Sequence, residues 1–581
     1  MHRILEEDRE VGIRTVGSAV LVWRRSSGGF SVHHDIRVRV ALAGLVGLLV
    51  QTGAQATDFH VCDCGPAADA NCVAGNDAAT GQMGQPWRTY DKARLAFSSL
   101  AAGDAVRFCA GGHWQIDAQS PSRWTNAQCT AALPCKVGMY QADWSDGDEG
   151  RPLLQRTNAD AMFDLADGGS ANHEEGYQFE DLVLQGVGGF GVFAYNDVDD
   201  VSLLRLDIAG FQIAVHVAGS NACDAADPLC DGRNERIILQ DSAIHDNHQH
   251  GWLGGSSGSQ IVRNSFARNG SVATFDHNIY ASGHTQGMRI RGNSLLQSTL
   301  DGAGSCSATS LVVHGYHVDL RIEDNEVREL PGLANAGCWG ISVVPGYTGS
   351  WGVEGFQGLI LRGNRIFDVG NVAISVGACQ QCVVEDNLVV QTQQMATRGI
   401  AVSPLTPTPE DLVDVDVIVR NNSLYFASNQ AHSGVDVRAG SGQGAVVVSN
   451  AVRFEGGDSG FNCFDLGVPW SGYVAIDHNL CDTTRASLAE WNDGAGALAA
   501  WQSLSAWDLH SAMVDPGFAD PASGVLEGFR LLENSAARDA GDPLLSSSAD
   551  VMGNPRDVLP DVGAFEYIVG GAAGVFADGF E

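Results

Sequence analysis

The chain has 581 residues with 71 Gly and only 17 Pro, and its 69 acidic against 34 basic side chains leave a formal net charge of -35. That length exceeds one ordinary globular core, but a solenoid has no such ceiling because each coil buries its apolar face on the next. So acidic a chain repels polyanions at long range, which excludes nucleic acid and admits an acidic polysaccharide only through local Arg or bound cations; otherwise the charge serves solubility.

From the N-terminus, Arg37-Val-Arg39 precedes an apolar run from Val40 to Val50, and Ala54-Gln-Ala56 offers a small-residue cleavage site. Residues 1–56 therefore read as a signal peptide with an extended N-region, removed near Ala56. The run is too short to be a permanent membrane span. All 14 cysteines lie beyond it, which fits an oxidising compartment. Proximity in sequence suggests Cys129 with Cys135, Cys223 with Cys230, Cys379 with Cys382, and Cys463 with Cys481, with Cys306 and Cys338 joining neighbouring coils.

Ala93, Ala96, Phe97 and Leu100 recur at helical spacing after a possible N-cap at Thr89, and Gly103 is a stop. One amphipathic helix is predicted, covering the open end of a solenoid within an N-terminal cap of residues 57–104. Gly103-Asp104-Ala105-Val106-Arg107-Phe108 then opens the first strand. This helix and strand resemble the opening of secreted proteins of the pectate-lyase-like superfamily. The resemblance implies an all-β, right-handed parallel β-helix, and polysaccharide lyases, glycoside hydrolases and epimerases as activities.

Within an expected β-helix of residues 105–486, one phrase returns between about Ile237 and Asn450, an apolar residue, two variable ones and Asn, ending at Asn264, Asn293, Asn325, Asn364, Asn387, Asn422 and Asn450. A fixed phrase at a loosely fixed period marks stacked coils, with each Asn at a turn and its amide bonded to equivalents above and below. A second column of strands aligns beside it, in which Ile213, Ile279, Leu311, Ile341, Ile400 and Val435 face the core. Ala495 to Leu504 reads as a short helix, and Asp561-Val-Gly-Ala-Phe-Glu566 resembles the "DIGAFE" ending of secreted bacterial β-helix proteins. That resemblance makes residues 487–567 a C-terminal cap segment, leaves 568–581 as a tail, and implies a bacterial protein that is secreted, periplasmic or at the cell surface.

Histidines gather in three consecutive coils, at His245, His248 and His250, at His277 and His284, and at His314 and His317. Alignment of the second column places Trp252 and Tyr280 at one outward position, a platform for sugar rings. Asn278 and His314 join it as substrate-binding residues, and Arg289 and Arg291 are expected to meet a carboxylate. β-Elimination of a uronic acid needs a base for the proton at C5, an acid for the leaving oxygen and neutralisation of the carboxylate, and His250, His277 and Tyr280 are the candidates for acid and base. Lys92 and Lys136, the only lysines, lie in or near the cap, so a lysine base is not expected. Asp241, Asp246 and Asp276 leave calcium open, although no EF-hand or nonapeptide motif is present. The expectation is a monomeric secreted polysaccharide lyase; the alternatives are a non-catalytic carbohydrate-binding β-helix and a glycoside hydrolase.

Overall fold

In the computed structural model, the described residues run from 56 to 568, apart from 167–174, 196, 219–233, 273, 301–303, 347–352, 404, 406–407, 429, 431, 457–459 and 483–488. Contacts divide the chain into Met1–Gln55 and Ala56–Glu581. In the first unit only the backbone of an antiparallel pair, Arg14–Val16 with Ala19–Leu21, is described. The apolar run expected at 40–50, the pair Cys223 and Cys230, and the tail from 569 lie outside the described residues.

The second unit is a parallel β-helix. Its short strands stack into parallel sheets of 14, 13 and 12 strands, which we call sheets A, B and C, and a partial sheet of four. A coil shows the order clearly: Ile238–Gln240 lies in sheet A, Ala243–His245 in sheet B and His250–Gly254 in sheet C, before Gln260–Val262 re-enters sheet A. Apolar side chains from all three sheets fill one continuous interior. Of the six residues expected in the core column, Ile279, Leu311, Ile341, Ile400 and Val435 are there at zero exposure, whereas Ile213, 4% exposed, pairs in register with His250, and Val215 takes the core place beside Trp252.

The Asn phrase falls at the corner between sheets A and B. Each side-chain amide donates to the carbonyl oxygen of the next, from Asn264 to Asn293 at 3.0 Å and onward through Asn325, Asn364, Asn387, Asn422 and Asn450 to Asn479. The ladder ends on Asp508, which accepts from Asn479 and from the indoles of Trp491 and Trp501. Every rung is buried, so each amide must find its partners within the protein. Asn364, for example, donates to Ile322 O at 2.8 Å and to Asn387 Oδ1, and its own Oδ1 accepts from the backbone and side chain of Asn325. Asn364→Ala strips partners from several buried groups at once and is expected to cost about 2–4 kcal/mol, read as a lower urea midpoint. Arg291→Ala, an exposed change nearby, should leave the midpoint unmoved within about 1 kcal/mol.

The predicted first helix spans Tyr90–Phe97 with Thr89 as its N-cap, accepting from the Lys92 amide at 3.2 Å, and Phe97 enters the core. At the other end, Leu498–Ser505 is helical and sends Trp501 into the main core. The chain beyond it does more than close that end. Phe518, Phe529, Val562 and Phe565 form a second apolar cluster with Phe367, Val390 and Tyr425, the outward residues of sheet B. Disulfides join Cys129–Cys135, Cys306–Cys338, Cys379–Cys382 and Cys463–Cys481 as expected, and also Cys62–Cys109 and Cys64–Cys72. No described helix is long and apolar enough to cross a membrane.

Candidate functional site

Sheet C positions the candidate residues through a local departure from strict alternation. Two consecutive residues of each strand turn inward, as Asn278 with Ile279 and Ser310 with Leu311, all fully buried. The residues on either side of such a pair face outward. Strand register then lines up two outward columns. One runs Phe190, Ile213, His250, His277, Thr309, Trp339; the other runs Phe193, His216, Leu253, Tyr280, Val312, Ser342.

Within these columns His250, His277, Tyr280 and His314 converge. The His250 and His277 rings stack with centroids 5.7 Å apart, and Tyr280 stands edge-on to both, at 5.6 and 5.4 Å. His314 meets the other side of Tyr280 at 5.4 Å. His250 and His277 are each only 6% exposed, so a ligand reaches their outer edges and not their faces.

Hydrogen bonds fix which edge does what. His250 Nδ1 accepts the backbone N–H of His277 at 3.2 Å, so the neutral ring carries its proton on Nε2 and donates there. His277 Nδ1 lies 2.8 Å from the Thr309 carbonyl, which can only accept, so Nδ1 holds the proton and Nε2 keeps a lone pair. His314 is held the same way by the Val344 carbonyl at 2.6 Å. Burial pushes His250 down to about 4 and His277 to about 3, and lowers His314 as well. The three imidazoles are therefore uncharged near neutral pH, with a donor nitrogen on His250 and an acceptor nitrogen on His277 side by side.

Four expected binding residues lie elsewhere. Trp252 pairs in register with Ile279, not Tyr280, and its ring is fully buried in the core with Nε1 donating to Gly254 O at 2.7 Å. Leu253 takes the outward place beside Tyr280, so the two-ring platform of Trp252 and Tyr280 does not exist. Asn278 is also interior, accepting from Asn269 Nδ2 at 3.0 Å and donating to Ser310 Oγ at 3.2 Å. Arg289 and Arg291 stand on a strand of sheet A, where Arg291 pairs with Asp324 at 3.0 Å, and a different sheet directs them away from the cluster.

The carboxylates considered for calcium do not converge either. Asp241 binds Arg263, Asp246 binds Arg268 and His245, and Asp276 accepts the amides of Ser271 and Val272 within a loop. The remaining histidines are placed by packing: His317 is buried against Phe356, and His284 lies beside Tyr316 on the four-stranded sheet.

Further along the same face lies a feature that the sequence reading passed over. Asp436 and Asp465 occupy the second outward column, and Asn462 donates to Asp493 at 3.0 Å. Arg398 pairs with Asp436 at 3.3 Å. A cleft of about 560 Å³ opens over Arg398, Ser433, Asn462, Glu490 and Asp493. Burial, with Asp436 and Asp493 nearby, pushes Asp465 up to about 6, and burial raises Asp436. The signal was a column of aspartates at equivalent strand positions, visible only once register is known.

No family model matches the sequence, and no curated protein matches it. Among solved structures, the pectate lyase Pel9A superposes at a TM-score of 0.35 with 13% identity, over 88% of this chain and 98% of that one. The complex of XylC with xylose gives 0.40 with 9% identity and the same coverage, 88% and 98%. An alginate lyase from Paenibacillus sp. str. FPU-7 gives 0.27 with 12% identity, over 56% of this chain and 97% of that one. The stacked parallel sheets, not these likenesses, define the fold.

Proposed function

We propose that the protein is a secreted carbohydrate-active enzyme that binds a polysaccharide along the outer face of sheet C and cleaves it by β-elimination at the His250–His277–Tyr280 cluster. The observation that carries this reading is the convergence of two imidazoles of opposite hydrogen-bonding sense with a phenol, on a rigid sheet. His277 Nε2 takes the proton from C5 of a uronate unit. The C4–O bond breaks, a C4–C5 double bond forms, and the Tyr280 hydroxyl returns a proton to the departing oxygen. His250 Nε2–H donates a hydrogen bond to the uronate carboxylate.

No Arg or Lys stands in either outward column from Phe190 to Ser342, so a neutral donor, not a guanidinium, meets that carboxylate. The arriving negative charge in turn raises the basicity of His277, which burial, with His250 and His314 nearby, holds low. The test is absorbance near 235 nm from unsaturated products across polygalacturonate, alginate, hyaluronan and related chains; no signal on any of them overturns the reading.

The pH profile follows from the same shifts. The base must be neutral, and activity falls only as pH drops through the folded values of about 3 for His277 and about 4 for His250. With a soluble uronate substrate, kcat/KM is expected to stay flat between about pH 5 and 8, where an unperturbed histidine near 6.5 would show a limb. A limb near 6.5 removes His277 as the base.

A second reading is favoured by the aspartate column. Asp436 and Asp465 sit on adjacent strands, and Asp465 is pushed up into the range of a proton donor. That pairing suits glycoside hydrolysis, and a strand spacing of about 4.8 Å is close to the separation of a retaining pair. Reducing ends released without 235 nm absorbance, and lost in Asp465→Asn, select this reading over elimination.

A further inference from the structure

We propose that Phe190, Phe193 and Tyr195 form a sugar-stacking shelf, a binding subsite that holds the polysaccharide beside the histidine–tyrosine cluster. It deepens the elimination reading, since the chain held here is the one cut there.

The three rings take the outward positions of one strand of sheet C, Phe190–Tyr195, in the segment Phe-Gly-Val-Phe-Ala-Tyr. Phe190 and Phe193 lie 4.8 Å apart and within 20° of parallel; Phe193 and Tyr195 lie 5.6 Å apart and within 13°. The intervening Val192 and Ala194 are buried, so the rings point outward, and Tyr195 is 39% exposed. Three aromatic rings left on an outer face instead of in a core make an unusual surface for so acidic a chain.

Their place in the register says what covers them. Phe190 begins the column that continues through Ile213 to His250 and His277, and Phe193 follows Asp164 in the one that continues through His216 and Leu253 to Tyr280. The shelf is thus two strands from His250 and three from Tyr280, about 10 and 14 Å. A chain of pyranose units lying along the solenoid axis would span that distance without leaving the face. On the other side, Trp339 is half-buried in the first column two strands beyond His277.

The strip is too narrow for a protein partner: three partly covered rings offer at most a few hundred Å², against about 800 Å² per side in a stable interface. The rings themselves carry no charge, and Asp164 beside Phe193 is already paired with Arg123 at 3.3 Å. Because the rings stack on one another, recognition rests on the exposed ring of Tyr195 and the apolar edges of Phe193 and Phe190, so binding at the shelf is insensitive to salt, unlike capture of a polyanion by arginines.

The experiment uses full-length protein carrying His277→Ala, so that the chain stays intact, with affinity electrophoresis and calorimetry on polygalacturonate, alginate and xylan at low and high salt. Adding Phe193→Ala or Tyr195→Ala is expected to weaken binding of long chains roughly tenfold per ring, while Tyr195→Phe retains it. In the enzyme with His277 intact, the same changes raise KM for long chains and leave kcat on short oligomers unchanged. Ring-dependent binding with no product from the intact enzyme on any chain supports the shelf and defeats the elimination reading. Unaltered binding in both alanine variants, binding that collapses at high salt, or no binding to any of the three chains overturns the shelf.

Discussion

His277→Ala is expected to lower kcat/KM by roughly a thousandfold, about 4 kcal/mol of barrier, while glycan binding changes by less than tenfold. The split follows from geometry. His277 is 6% exposed and offers substrate a single nitrogen edge, so little ground-state contact is lost with it. What disappears is the acceptor lone pair that the Thr309 carbonyl fixes on Nε2. Tyr280→Phe keeps the ring contacts to His250, His277 and His314 and removes only the hydroxyl, so it should show a comparable loss of kcat. His250→Asn separates the remaining role, because an amide still donates toward a carboxylate; it is expected to retain more activity than His250→Ala. Unfolding midpoints near the parent's exclude a folding defect as the cause. A His277→Ala protein that turns over at the parent rate rules out this cluster as the catalytic centre.

How much of this was legible in the sequence depended on whether a residue's role was set by identity or by register. The Asn ladder was legible because only a side-chain amide can donate to and accept from its own kind at every rung, so the same letter recurs at Asn264 through Asn450. The core residues Ile279 and Leu311 and the grouping of His250, His277 and Tyr280 are also legible, since their strands share one apolar pattern at the coil period. Trp252 and Asn278 were misplaced for one reason. Two successive residues per strand turn inward, and a pattern that assumes strict alternation slips by one at such a bend, moving a ring from the core to the surface. Arg289 and Arg291 were close in sequence to the cluster but belong to sheet A, and sequence distance in a solenoid says little about which face a side chain joins. The shelf at Phe190, Phe193 and Tyr195 departs from alternation in the same way, with Gly191 and Val192 both turned inward between the first two rings. Its rings lie far from the histidines in sequence, and only strand register brings them onto the same face.

Arg556→Met is expected to cost about 3–5 kcal/mol, with the C-terminal segment released before the coils unfold. Its guanidinium is 2% exposed and bonds Asp386 at 2.8 Å and Glu566 at 3.1 Å, both carboxylates themselves nearly buried. It also donates to Ser547 Oγ and to the carbonyls of Asp561 and Gly563, so one side chain ties the loop around the Asp561–Glu566 sequence to a coil 170 residues earlier. Methionine fills similar volume but leaves two acids without a counter-charge in a place water does not reach, and that penalty, more than lost packing, sets the size of the effect. Adding Asp386→Asn to Arg556→Met should therefore restore a good part of the stability, a gain that simple loss of contacts does not predict. By contrast Arg205→Ala, which breaks an exposed fork on Asp181, should change stability by less than about 1 kcal/mol. Limited proteolysis followed with urea reads the order of events: cleavage after residue 512 at urea concentrations that leave the Asn ladder intact is the expected pattern for Arg556→Met. A single cooperative transition, with the segment and coils lost together, would mean that the apolar cluster of Phe518, Phe529 and Phe565 on sheet B holds the segment without the ion pair.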